Sequence, residues 1–245
     1  MLKSIINILL ILAFFQVSAQ KALAPKLPEV QKPERQIFVR FGVDLSRIAV
    51  NYIGKIPYQA FEASVDGEVV QKYFPTFEAG WSKLTNSTVN ISAQDPAIQY
   101  NYQMSGTYYR VGMNYNMLKY KQHLDRNIFF VGARLATSGF SQEASQVSLT
   151  NAWGTLETSF PKTSLHAYWF EGVIGLRGEV VRNLYMGYTI RIKRMIAHSG
   201  YNGINPYIIP GYGKGSKSST VGISYSIFYA IPIKNPKINY PKKNS

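Results

Sequence analysis

From about residue 36 onward, apolar and polar positions alternate in run after run, with turn residues between the runs. Strict alternation puts every apolar side chain of a segment on one side of an extended strand. The first run, residues 36–48, places Ile37, Val39, Phe41, Val43 and Leu45 on one face and Phe38, Arg40, Gly42, Asp44 and Ser46 on the other. The second, 58–69, sets Phe61, Ala63, Val65 and Val69 against Glu62, Ser64, Asp66 and Glu68. The third, 73–82, opposes Tyr73, Phe77, Ala79 and Trp81 to Thr76, Glu78, Gly80 and Ser82. The division recurs in runs over 104–117, 129–136, 166–180, 184–193 and 221–230, whose polar faces carry Arg110, Arg134, Glu171, Arg177, Glu179, Arg191 and Ser224. Helical periodicity is absent, so the pattern predicts an all-β single domain of about eight antiparallel strands.

The connections are uneven. Those after the second, fourth and sixth runs are short, and that after the first is intermediate. Those after the third, fifth and seventh are long, over about 83–103, 140–163 and 197–218. Short turns at one end and long loops at the other are the arrangement of a transmembrane β-barrel, with the short turns on the periplasmic side. Within the last long loop, the stretch Gly211-Tyr212-Gly213-Lys214-Gly215 lacks the strand-to-helix context of a phosphate cradle, and it predicts a flexible surface loop.

Residue size and charge decide which face turns inward. The polar face is rich in glycine (Gly42, Gly80, Gly106, Gly112, Gly132, Gly175, Gly187, Gly222), whereas Phe, Tyr, Trp, Ile and Met fill the other. An eight-stranded barrel has an interior just wide enough for its own side chains, so the small face fits inside. That face also holds Asp44, Glu62, Asp66, Glu68, Glu78, Glu171 and Glu179, about half of the chain's 13 acids, beside Arg40, Arg110, Arg134, Arg177, Arg191 and Lys193. Near-equal numbers of the two signs predict a paired network in a closed lumen, because unpaired buried charge costs several kcal/mol. The expected network is Arg40, Asp44, Glu62, Asp66, Glu78, Arg110, Arg134, Glu171, Arg177, Glu179 and Arg191. Tyr73, Trp81, Tyr115, Trp169, Tyr188 and Tyr229 fall near strand ends, where interfacial aromatic girdles would stand.

Composition refines the location. Met1 and Lys3 precede an apolar run from Ile5 to Phe15 and a Val17-Ser18-Ala19 stretch, which reads as a cleaved signal peptide over 1–19. A Pro- and Lys-rich leader (20–35) precedes the barrel (36–232), and a basic tail (233–245) follows it. The net charge of +14 gathers toward these ends. For an exported chain, basic ends suit anionic headgroups or periplasmic protein partners rather than nucleic acid. The chain has no cysteine, which excludes disulfides, thiolate metal sites and a lipidated N-terminal Cys. The three histidines, His123, His166 and His198, lack metal spacing, and neither metal nor cofactor is expected. Ser164, Ser199, His166, His198 and Glu171 are the residues from which a rim-located lipid-modifying site would have to be built.

The runs Phe38-Val39-Arg40-Phe41-Gly42-Val43-Asp44-Leu45-Ser46 and Asn183-Leu184-Tyr185-Met186-Gly187-Tyr188-Thr189-Ile190-Arg191, together with Ile209-Pro210-Gly211-Tyr212-Gly213, resemble an uncharacterised family of small Gram-negative outer-membrane barrels. The resemblance implies the fold and an outer-membrane location, and it carries over no functional residue. The function expected is non-enzymatic: a structural or interaction barrel, such as an accessory subunit of an envelope assembly or secretion machine. The alternatives are an adhesion or ligand-binding barrel acting through its long loops and, behind it, the rim-located enzyme. The partners expected are outer-membrane lipid and proteins met through loops or tails.

Overall fold

A computed structural model describes residues 37–53, 57–69, 72–90, 98–118, 127–151, 154–200 and 204–234. The expected signal peptide, leader and nearly all of the basic tail lie outside these residues, as do His123 and the turn around it. The strands are β1 (Ile37–Asp44), β2 (Tyr58–Gly67), β3 (Tyr73–Asn90), β4 (Ile98–Asn116), β5 (Ile128–Asn151), β6 (Gly154–Val181), β7 (Leu184–His198), the two-residue β8 (Ile208–Ile209) and β9 (Gly213–Lys214), and β10 (Ser219–Lys234). Eight of them close an antiparallel barrel in the order β1-β10-β7-β6-β5-β4-β3-β2. Closure pairs β1 with β10, from Ile37↔Lys234 to Asp44↔Ser226, and leaves the barrel without a free edge along that seam. The β8–β9 hairpin lies in the β7–β10 connection.

The alternation seen in the sequence separates the two sides of the wall. Phe38, Arg40, Asp44, Glu62, Asp66, Glu78, Arg110 and Arg134 are buried inside, while Phe41, Phe77, Val111, Leu135, Ile174 and Ile223 are exposed outside, Ile223 by 71%. Glycine admits bulk to the lumen. A Cβ on Gly42 would strike the Phe228 ring, and one on Gly112 would strike the Ala133 carbonyl of the next strand.

Four expectations are corrected. The first strand does not run on to residue 48; it stops at Asp44, and helix α1 (Leu45–Ile53) follows. Asp44 caps that helix, its Oδ1 accepting from Ser46 N at 2.9 Å and from Ser46 Oγ at 2.5 Å. Leu45, Ile48, Ala49 and Tyr52 also follow the i, i+3, i+4, i+7 spacing of a helix, which the short alternating stretch concealed. Replacing Asp44 by Ala is expected to cost ~1 kcal/mol, the usual worth of an N-cap. A loss several times larger, measured by urea unfolding, would instead make Asp44 part of the charge network.

The long connections after the third and fifth runs are mostly strand. The strands β5 and β6 have 24 and 28 residues, against the ~9–11 that cross a bilayer. Their outer positions turn polar at Ser141, Glu143, Ser164 and His166, so the alternation fades from view. The inner positions Phe140, Ala144, Val147 and Leu165 stay apolar and buried. The third correction is Trp169, which shares the parity of Glu171 and lies wholly inside the lumen instead of in an outer girdle. The fourth is the glycine-rich loop: Ile209, Pro210, Gly211 and Tyr212 are buried within the barrel.

Candidate functional site: a filled lumen with an inward-folded loop

Three layers fill the lumen. At the end of the short turns, Arg40 and Arg177 share Asp66: Arg40 Nη2 lies 2.6 Å from Oδ1, and Arg177 Nη1 lies 2.5 Å from Oδ2. Aromatic faces sandwich both guanidiniums. Arg40 lies over Phe74 at 4.8 Å and Phe38 at 5.3 Å, and Arg177 lies over Phe228 at 3.8 Å. Cation–π contact offsets part of the desolvation of the second arginine, for which Asp66 alone provides too little charge.

Above this layer lies a six-residue ion cluster. Arg110 Nη1 reaches Glu62 at 2.9 Å and Glu78 at 3.0 Å, and its Nε reaches Glu171 at 2.9 Å. Arg191 reaches Glu78 at 2.8 Å, Glu62 at 3.4 Å and Glu171 at 3.5 Å, while Arg134 reaches Glu78 at 3.3 Å. Neutral donors complete the carboxylates: Tyr108 Oη donates to Glu62 at 2.6 Å, and Trp169 Nε1 donates to Glu171 at 2.6 Å. Three acids therefore face three arginines with nearly every oxygen used, the condition under which buried ion pairs hold together. Arg47 of α1 adds a longer contact to Glu62 at 3.6 Å. Between the two layers remains a polar cavity of about 10 Å³ beside Glu78, Arg134, Arg177, Thr189 and Ser226, close to the room that one water needs.

The third layer is the β7–β10 connection folded into the opposite mouth. Lys193 Nζ donates to the carbonyls of Gly211 at 2.7 Å and Tyr212 at 3.1 Å, and Arg110 Nη2 donates to Gly211 O at 3.0 Å. Gln142 Nε2 holds the Ile204 carbonyl at 2.9 Å. Gly211 has φ +76, a left-handed value, and a Cβ there would meet the Tyr108 ring. The loop's Ile209 and Tyr212 pack with Tyr102, Met104, Phe140, Leu165 and Trp169 in an apolar cluster above the ions.

Of the residues expected in one network, the structure brings together Glu62, Glu78, Arg110, Arg134, Glu171 and Arg191, and separately Arg40, Asp66 and Arg177. Asp44 serves chiefly the helix cap, with Arg47 at 3.8 Å. Glu179 closes the turn at the other end, its Oε1 accepting from Asn183 N at 2.7 Å. Trp169, Tyr108, Lys193 and Gln142 also belong to the lumen. Trp169 and Tyr108 share the parity of Glu171 and Arg110, whereas nothing in the sequence marks a lysine that binds backbone carbonyls. The lipid-modifying set is not assembled. Ser199 Oγ bonds the His166 main chain, at 2.9 Å to N and 3.3 Å to O. His166 and His198 are exposed, and Glu171 lies inside with Arg110.

A family model described as "Domain of unknown function (DUF6048)" matches residues 1–236. No curated protein matches the chain. Among solved structures, it is similar to a major outer membrane protein from Thermus thermophilus, with a TM-score of 0.44, 7% identity and coverage of 80% of this chain and 98% of that one. It is also similar to Ail, the attachment invasion locus protein of Yersinia pestis, with a TM-score of 0.36, 8% identity and coverage of 82% and 100%. Acinetobacter baumannii CarO2 gives a TM-score of 0.35, 6% identity and coverage of 80% and 99%. Likenesses of this degree say nothing of what this chain binds.

Proposed function

Because the chain belongs to the DUF6048 family, whose description carries no activity, we propose from its geometry that it is a non-conducting, non-enzymatic outer-membrane barrel with a structural or interaction role. One observation carries this reading: an apolar outer wall surrounds a lumen filled by ion pairs and by the chain's own loop. On β6 the outward positions Tyr168, Phe170, Ile174, Leu176 and Val180 are exposed. At ~3.3 Å per residue and a tilt of ~40°, residues 168–180 rise about 30 Å, close to the ~25 Å apolar band of such barrels. The outward positions of this stretch carry no charge, as they must where lipid is the solvent, and Glu171 and Arg177 within it face the lumen.

The long ends of β3–β6 stand beyond the band on the side that barrels of this kind turn to the exterior. They supply a wall for contact with a partner subunit, and this is the accessory-subunit reading. The same wall supports the second reading, a surface adhesin or ligand-binding barrel. Heat-modifiable migration tests the fold in the membrane. Outer-membrane extracts in mild detergent are expected to give a fast-migrating folded band that shifts on boiling. Recovery in the soluble periplasmic fraction would overturn the proposal. Gentle solubilisation then separates the two readings: a stoichiometric co-purifying protein supports the subunit, and a barrel that elutes alone counts against it.

A further inference from the structure

The exposed charges are distributed unevenly around the rim. Among the described residues, the acids outside the lumen and its mouth are Glu143 and Glu157 on the β5–β6 hairpin, and Glu179 at the opposite turn. Where β7 meets β10, every exposed charge is positive. Arg194 pairs in register with Ser219, and its Nη1 donates to Ser219 Oγ at 2.9 Å, which lays the guanidinium along the outer wall. Lys214 and Lys217 are exposed on the adjoining turn, closed by Lys217 N donating to Lys214 O at 3.3 Å. That turn is tied to the wall by Met195 N donating to Ser218 O at 3.0 Å, so the three cations occupy one sector. No carboxylate lies within ion-pair distance of any of them among the described residues. Directly below them on the same two strands stand Ile190, Ile192, Val221 and Ile223, with Val221 and Ile223 the most exposed large apolar residues described.

A fixed arginine and two lysines capping an uninterrupted apolar strip match a molecule with anionic groups at one end and hydrocarbon at the other. We propose that the Arg194–Lys214–Lys217 sector binds a phosphorylated lipid of the outer leaflet, its phosphates on the cations and its acyl chains along the strip headed by Ile192 and Val221. The inference rests on the outer-membrane reading and adds the lipid class and its place on the wall. Lys and Arg at a membrane surface attract anionic lipid, and they do so additively. Soluble phosphate would gain nothing from the strip. This separates a lipid site from a simple anion site.

The probe is diphosphoryl lipid A, titrated against the full chain purified in a non-ionic detergent, with insertion into phosphatidylcholine vesicles measured in parallel. R194A/K214A/K217A is expected to insert normally and to weaken lipid A binding about 100-fold. Dephosphorylated lipid A should bind the parent protein as weakly. K83A/K162A, which removes exposed cations from other sectors, should leave binding unchanged. The inference alone fails if the triple variant inserts and binds as the parent does, if K83A/K162A loses as much, or if inorganic phosphate displaces the lipid at equal phosphate concentration. If the parent chain does not insert into vesicles at all, the outer-membrane reading fails and this inference with it.

Discussion

Replacing Glu78 by Ala is expected to destabilise the folded barrel by ~3–5 kcal/mol, the cost of stranding buried charge when one partner of an ion network is removed. Glu78 is the carboxylate that all three arginines of the central cluster share, at 3.0 Å from Arg110, 3.3 Å from Arg134 and 2.8 Å from Arg191. Without it, Arg134 keeps Asn114 Oδ1 at 2.7 Å and the Ala133 carbonyl at 3.0 Å but, among the described residues, has no anion within ion-pair distance. Glu62 and Glu171 remain to neutralise three guanidiniums. Glu78→Gln preserves the shape and some hydrogen bonds, so it should cost less than Ala. Glu78→Ala combined with Arg134→Leu should recover part of the loss, because the worst-served cation leaves with the anion. The measurement is urea unfolding of the barrel in lipid vesicles. A loss below ~1 kcal/mol for Glu78→Ala would mean that water screens the cluster, and the closed lumen would then be wrong.

The same cluster shows where sequence reading reaches its limit. Strand parity is a local property, so the sidedness of Arg110 or Glu171 could be read from the residues two places away. Which charge meets which could not. Arg177 joins Asp66 across 111 residues and Arg191 joins Glu62 across 129, and the stagger of a closed barrel brings them together. Trp169 carries two conflicting signals: its parity with Glu171 places it inside, whereas its position near the rim suggests a girdle. The stretch after Asp44 satisfied both a strand and a helix over its first residues, and only the Asp44–Ser46 cap decides between them. The inward loop left the faintest trace. Its ties are carbonyls of Gly211, Tyr212 and Ile204, and a carbonyl is common to every residue. Its visible signal is a set of large apolar residues, Ile204, Tyr207, Ile208, Ile209 and Tyr212. A loop destined for solvent has no use for them.

The outer wall gives the second large expected effect. Ile174 stands midway along the exposed run of β6, with Val131 and Ile190 beside it on the neighbouring strands, all three exposed. Both of these register partners are uncharged, so Ile174→Arg would face lipid near the bilayer midplane. The expected cost is ~2–4 kcal/mol, falling to ~0–1 kcal/mol for an arginine near the interface. Ser141→Arg supplies the comparison, because Ser141 is an outward position of β5 beyond the apolar stretch. A soluble barrel would reverse the ranking, since adding charge to an exposed surface costs little and removes an apolar patch from water. Unfolding in vesicles should therefore show Ile174→Arg far below Ser141→Arg. The gap should narrow in detergent micelles, where headgroups and water reach the wall more readily. Equal stability of the two variants in vesicles would remove the membrane from the account of this wall.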